Sequence, residues 1–179
     1  FTLYEGAVLR NNTNTAGNGG GLQVRGGSVT VSGGAFYGCS SSAGNGGAIA
    51  LEYDEMYTSA LSFDTGTIGS TTSGQGNSAV NGGAVYVGAN NAMSISVYAS
   101  ISGNTASSNG GGIYVVTGAN FTSYASSPYS ITENTAGLEG GGAYFEDAGS
   151  LTDSYGSFNA SCTGNLAPNG MFPNIWMPY

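Results

Sequence analysis

Asn109-Gly110-Gly111-Gly112-Ile113-Tyr114-Val115 decides the fold, because the chain writes this block five times. The other copies are Asn18-Gly19-Gly20-Gly21-Leu22-Gln23-Val24, Asn45-Gly46-Gly47-Ala48-Ile49-Ala50-Leu51, Asn81-Gly82-Gly83-Ala84-Val85-Tyr86-Val87 and Glu139-Gly140-Gly141-Gly142-Ala143-Tyr144-Phe145. Successive copies start 27, 36, 28 and 30 residues apart, and a degenerate sixth, Asn169-Gly170-Met171-Phe172, follows 30 residues later. Recurrence at such a period marks a solenoid, in which each repeat buries its apolar face against its neighbours.

Within the block the fifth and seventh places are apolar throughout, and the sixth holds Gln23, Ala50, Tyr86, Tyr114 and Tyr144. A period of two is that of a strand with alternate side chains buried. The glycines before it suit a sharp corner or a close approach of two backbones. Four or five residues ahead of each block stands a small polar triplet: Asn14-Thr15-Ala16, Ser41-Ser42-Ala43, Asn77-Ser78-Ala79, Asn104-Thr105-Ala106, Asn134-Thr135-Ala136 and Asn165-Leu166-Ala167. A second alternating segment follows each block (Ser28–Val31, Ala60–Phe63, Ser94–Val97 and Ser150–Thr152), and a third, such as Ser100–Ser102 or Ser130–Thr132, leads into the triplet. The pattern predicts an all-β fold: a right-handed parallel β-helix of about six rungs, with three short strands per rung. At about 4.8 Å per rung the rod is about 25–30 Å long. The expected organisation is one domain over 1–179, with an N-terminal contact segment at 1–8, regular rungs at 9–168 and an incomplete C-terminal rung at 169–179.

Stacking places equivalent residues above one another. Asn14, Asn77, Asn104, Asn134 and Asn165 are expected to form an inward amide ladder, interrupted by Ser41. Tyr86, Tyr114 and Tyr144 are expected to form an exposed aromatic row, either covering the sheet or offering a contact surface to a sugar or another subunit. The long 36-residue interval predicts loops at 52–57 and 70–76 that leave the solenoid.

The Gly-Gly-(Ala or Gly)-(Ile, Leu or Val) block with its preceding Asn corner resembles the repeats of polymorphic outer membrane proteins and related right-handed β-helix passengers and adhesins. Ile101-Ser102-Gly103-Asn104 and Ile131-Thr132-Glu133-Asn134 approximate that family's Phe-x-x-Asn signature, with Ile in place of Phe. The resemblance covers about residues 9 to 170 and implies architecture and a cell-surface setting more than a chemistry, because β-helices host adhesins, lyases and structural fibres alike. Residues 1–179 show no sign of an outer-membrane β-barrel domain, so the family's secretion mechanism is not carried over.

Composition narrows the function. Arg10 and Arg25 are the only basic residues against ten acidic ones, for a net charge of -8, which is too little cation to neutralise nucleic-acid phosphates or to bind anionic membrane. No apolar run reaches the length of a spanning helix. Without His there is no Ser-His or Cys-His pair, and the glycine blocks lack the Gly-Lys-Ser/Thr ending of a phosphate loop. The resemblance to β-helix lyases implies an Arg or Lys base, often beside Ca²⁺ held by carboxylates. Arg25 follows the first block, with Glu146 the nearest carboxylate at an equivalent place, several rungs away. The groups Glu52, Asp54, Glu55 and Glu146, Asp147, Asp153 read as solvated loops in preference to weak Ca²⁺ sites. No enzyme activity, metal or cofactor is expected. Cys39 and Cys162 flank four block starts, about 15–20 Å apart along the axis and beyond disulfide reach. Sequons at Asn11, Asn120 and Asn159, with the Lys-free polar surface, suggest an extracellular glycoprotein.

Neither end shows a sequence cap, and both are apolar and aromatic. Phe1, Leu3, Tyr4, Phe172, Ile175, Trp176 and Tyr179 are therefore expected subunit contacts. The leading expectation is a secreted, non-enzymatic structural protein whose β-helices stack head to tail into a filament. The alternative is an adhesin or glycan-binding fragment of a longer surface protein, and the third is a polysaccharide lyase.

Overall fold

The structure is a computed structural model that describes residues 1–124, 129–168 and 172–178. It is a parallel β-solenoid of about six rungs. Rung one contains β1 (Thr2–Tyr4), β2 (Val8–Arg10), β3 (Thr13–Asn14) and β4 (Leu22–Val24). Rung two has β5 (Gly27–Tyr37), β6 (Ser40–Ser41) and β7 (Ile49–Leu51), and rung three β8 (Ser59–Ile68), β9 (Ser78–Ala79) and β10 (Val85–Val87). Rung four has β11 (Ala92–Ile95), β12 (Ala99–Ser102), β13 (Thr105–Ala106) and β14 (Ile113–Val115). Rung five has β15 (Asn120–Ser123), β16 (Ser130–Thr132), β17 (Thr135–Ala136) and β18 (Ala143–Phe145). Rung six has β19 (Leu151–Asp153), the short helix α1 (Phe158–Ser161), β20 (Cys162–Thr163) and β21 (Ile175–Trp176). Among the described residues no helix is long and apolar enough to cross a membrane.

Three parallel sheets run along the rod. The blocks form one, in the order β21-β18-β14-β10-β7-β4. The second and third segments of each rung share a ten-stranded sheet, and in β5 and β8 they are continuous, bent where the register shifts beside Gly33 and Gly66. The triplets at 77–79, 104–106 and 134–136 supply strands of the third sheet, two residues each, which Thr13–Asn14 and Ser40–Ser41 continue in the first two rungs.

The core fills from columns of inward side chains in register. Val29, Leu61, Met93, Phe121 and Leu151 make one, and Leu9, Phe36, Ile68, Ile101, Ile131 and Cys162 another. Each fully buried Ile, Leu or Phe contributes about 1.5–3 kcal/mol, and only neighbouring rungs can provide the burial. Cys162 takes an isoleucine's place, its thiol pushed up in pKa by burial, and both cysteines are free and buried.

Glycine chemistry sets the corner. Gly110 has φ +64°, a left-handed turn that other residues enter at a cost. Gly111 has an ordinary φ, yet a β-carbon there would sit 2.3 Å from the carbonyl oxygen of Gly141 on the next rung. The same place in the other rungs is as tight, 2.2–2.4 Å at Gly20, Gly47, Gly83 and Gly141.

The ends differ from expectation. Residues 1–8 belong to the first rung: β1 pairs with β5, and Leu3 lies beside Val31, buried in the core. At the other end β21 pairs with β18 and completes the block sheet, with Ile175 opposite Ala143. That register starts the sixth block at 171, two residues later than Asn169-Gly170-Met171-Phe172 suggests; Asn169 to Met171 lie outside the described residues. Phe158 on α1 is buried against Phe121, Phe145 and Tyr129, so an aromatic plug closes the core where the sequence shows no cap.

Candidate binding surface

The inward amide ladder runs through Asn77, Asn104, Asn134 and Asn165. Each side-chain Nδ2 donates to the next Oδ1, at 2.9 Å for Asn77 to Asn104 and Asn104 to Asn134 and 3.0 Å for Asn134 to Asn165. It continues from Asn165 to Asn174 Oδ1 at 3.2 Å. Asn14 stands outside it. β3 pairs Thr13 with Ser40 and Asn14 with Ser41, and β6 pairs Ser40 with Ser78, so the rung-one and rung-two equivalents of Asn77 are Asn12 and Cys39. Cys39 N donates to Asn77 Oδ1 at 2.8 Å. Asn14 instead closes its own turn, its Oδ1 accepting from the amides of Ala16 and Gly17.

On the outside of the block sheet, Tyr86, Tyr114 and Tyr144 stack with centroids 5.8 and 5.0 Å apart, and Trp176 extends the stack at 4.4 Å from Tyr144. The row is less exposed than expected: Tyr114 is buried, and Tyr86 and Tyr144 are half-buried. Ring faces spent on one another are not open to a sugar lying flat, so the row offers its edges and hydroxyls. Tyr114 Oη donates to Glu146 Oε1 at 2.5 Å, and the Thr117 amide donates to Glu146 Oε2 at 3.0 Å. Burial and then this carboxylate hold the Tyr114 hydroxyl well above the usual phenol range.

Arg25 has a nearer carboxylate than Glu146. Val24 pairs with Leu51, so the next residues, Arg25 and Glu52, stand side by side and form an ion pair. Glu52 also accepts from Asn18 Nδ2 at 2.7 Å. Burial alone would raise the Glu52 pKa, but hydrogen bonds from Gln23, Asn18 and Arg25 and the Arg25 charge outweigh it and leave the net shift downward. A depressed folded pKa contributes stability above the unfolded value near 4.5, which is lost as pH falls through the lower folded value. Urea midpoints measured from pH 6 downward are expected to fall more steeply below pH 4.5 for the parent than for Glu52→Gln. Parallel curves would show that Glu52 does not carry this dependence.

The loop at 70–76 packs back on the rod. Gly69 N donates to Phe36 O at 2.8 Å, then the chain leaves the sheet and returns to place Gln75 O 3.1 Å from the donating Gly38 N. It walls two clefts. One, of about 400 Å³, is lined by hydroxyls of Ser70, Thr71, Thr72, Ser73, Ser78 and Thr105, with Glu133 at its side. The other, of about 630 Å³, lies toward the first rung between this loop, Tyr37 and Arg10. The loop at 52–57 exposes Tyr53, Met56 and Tyr57, and Tyr53 and Glu52 border a shallower hollow beside Tyr86.

The remaining expected residues scatter. Asn11, Asn120 and Asn159 are exposed, on a first-rung corner, at the start of β15 and on α1 respectively. Phe1, Tyr4 and Phe172 are exposed and Ile175 and Trp176 half-buried, whereas Leu3 is core; Tyr179 lies outside the described residues. Among the described residues no three acidic or cysteine side chains group as a metal site.

Residues 99–116, which span β12, β13 and β14, match the Chlamydia polymorphic membrane protein repeat. The chain is a β-helix repeat protein that resembles the passenger repeats of that family, the match resting on one rung. No curated protein and no solved structure matches it.

Proposed function

We propose that this chain is a non-enzymatic binding segment of a cell-surface protein, similar to an adhesin passenger, that engages extracellular glycans through its lateral loops. One observation carries the reading: the insertion in the longest repeat interval is folded against the rungs as the wall of two polar clefts. Hydroxyls, amides and one carboxylate in a cleft of a few hundred Å³ suit a polyhydroxylated ligand. The repeat match supports a surface setting. A glycan array probed with labelled protein tests it, alongside a variant whose 70–76 loop is shortened to two glycines. Binding that falls at least tenfold in the shortened variant, with cooperative unfolding retained, is the expected result. Equal binding by both proteins, or none by the parent, would sink it.

A second reading, head-to-tail stacking into a filament, draws on the strand edges at the two ends. β4 at one end and β21 at the other are the outer strands of the block sheet, and Phe1, Tyr4 and Phe172 are exposed near those ends. Pairing β21 of one copy with β4 of the next would give a contact that does not close. Sedimentation velocity over a wide concentration range decides it, and a monomer throughout rejects it.

A further inference from the structure

We infer that the larger cleft beside the 70–76 loop is a site for an acidic saccharide, a pyranose bearing a carboxylate, with Arg10 as its anion-binding group. The inference rests on the glycan-binding reading and assigns one of its two clefts.

Register builds the site. Leu9 pairs with Phe36 and Arg10 with Tyr37, and since Phe36 points into the core, Arg10 and Tyr37 leave the outer face side by side. On the next rung Ile68 pairs with Phe36, so the chain that would have covered Tyr37 is Gly69 and the loop after it. Gly69 departs with φ +80°, and the anchored Gln75 brings the loop back over Gly38 as the opposite wall. The gap so formed, about 630 Å³, is large enough for one or two sugar rings.

Charge sets the ligand class. The chain has two arginines against ten acidic residues, and Arg25 is engaged by Glu52. Among the described residues Arg10 has no ion-pair partner, and no acidic residue lines its cleft. The other polar side chains there, Asn11, Gln75 and Tyr37, carry neutral amides and a hydroxyl. A guanidinium takes a carboxylate through two parallel hydrogen bonds. The half-buried ring of Tyr37 and the side chain of Val8 supply apolar surface for the C–H face of a pyranose, and the amides suit its hydroxyls. Asn11 lines the same cleft and heads a sequon, so a glycan on Asn11 would compete for the space.

The test titrates unglycosylated protein with digalacturonate, its dimethyl ester and sodium acetate, followed by calorimetry or saturation-transfer NMR. Digalacturonate is expected to bind at least about tenfold more tightly than the ester, the size of effect charge-assisted hydrogen bonds give. Arg10→Ala is expected to lose that margin, Arg10→Lys to recover part of it, and Arg25→Ala to leave it unchanged. Unaltered thermal unfolding of the Arg10 variants excludes misfolding. Equal binding of acid and ester, or acid binding unchanged in Arg10→Ala, overturns the acidic assignment and leaves glycan binding standing. Acetate binding as tightly as digalacturonate reduces the site to an anion contact and overturns the saccharide. Failure to bind either saccharide, with an empty glycan array, removes both readings.

Discussion

Replacing Asn104 with Ala is expected to lower stability by about 3–5 kcal/mol, measured as a shift in urea-unfolding free energy, while Asn14→Ala costs about 1 kcal/mol or less. The difference follows from how many buried groups each side chain satisfies. Asn104 Nδ2 carries two N–H groups and has three acceptors within reach, Ile68 O, Asn134 Oδ1 and, sharing a hydrogen, Ser102 O; its Oδ1 accepts from both the backbone and side-chain nitrogens of Asn77. All but one of these bonds are buried, so truncation strands several polar groups away from water at about 1–3 kcal/mol each, part of which relaxation recovers. Asn14 sits at a half-exposed turn where water can replace its bonds. Equal losses in the two variants would mean that the ladder is not a principal source of stability.

Gly111→Ala is expected to cost about 3 kcal/mol or more, or to yield insoluble protein, whereas Gly118→Ala costs about 1–2 kcal/mol. At Gly118 the added methyl meets nothing within 4 Å and the penalty is conformational, since φ is +79°. At Gly111 the backbone is unstrained, but the methyl would press on Gly141 O and on the carbonyl group of Thr135. Neither contact is the tip of a flexible side chain, so the two rungs must separate. Thermal unfolding of both variants separates crowding from conformation; a milder loss at Gly111 than at Gly118 would show that rung spacing is soft there.

Much of this was legible in the sequence, because a solenoid repeats each physical demand once per turn. The second glycine of the block never varies among the five copies, whereas the third alternates with Ala48 and Ala84, and the structure puts the tighter backbone contact at the second. Asn14-Thr15-Ala16 misled because it copies Asn104-Thr105-Ala106 closely. The true equivalents, Asn12 and Cys39, stand two residues earlier, and that shift is fixed by strand pairing that spacing alone does not reveal. β15 escaped notice because its second inward side chain is Ser123, made tolerable inside by a hydrogen bond with Tyr129 Oη at 3.0 Å. The Arg25–Glu52 pair was readable, since each follows the seventh residue of its block. The Arg10 cleft was not, because it depends on where a loop of Ser, Thr and Gly comes to rest.

The amide ladder also makes the rod electrically directional. From Asn77 to Asn165 every side-chain oxygen points toward the N-terminal rungs and one N–H of each amide toward the next Asn, while the other N–H donates back to Phe36 O, Ile68 O, Ile101 O or Ile131 O, so the amide carbonyl dipoles align along the axis and polarise one another. The solenoid interior is in effect a row of aligned batteries, positive toward Asn174 and negative toward Cys39.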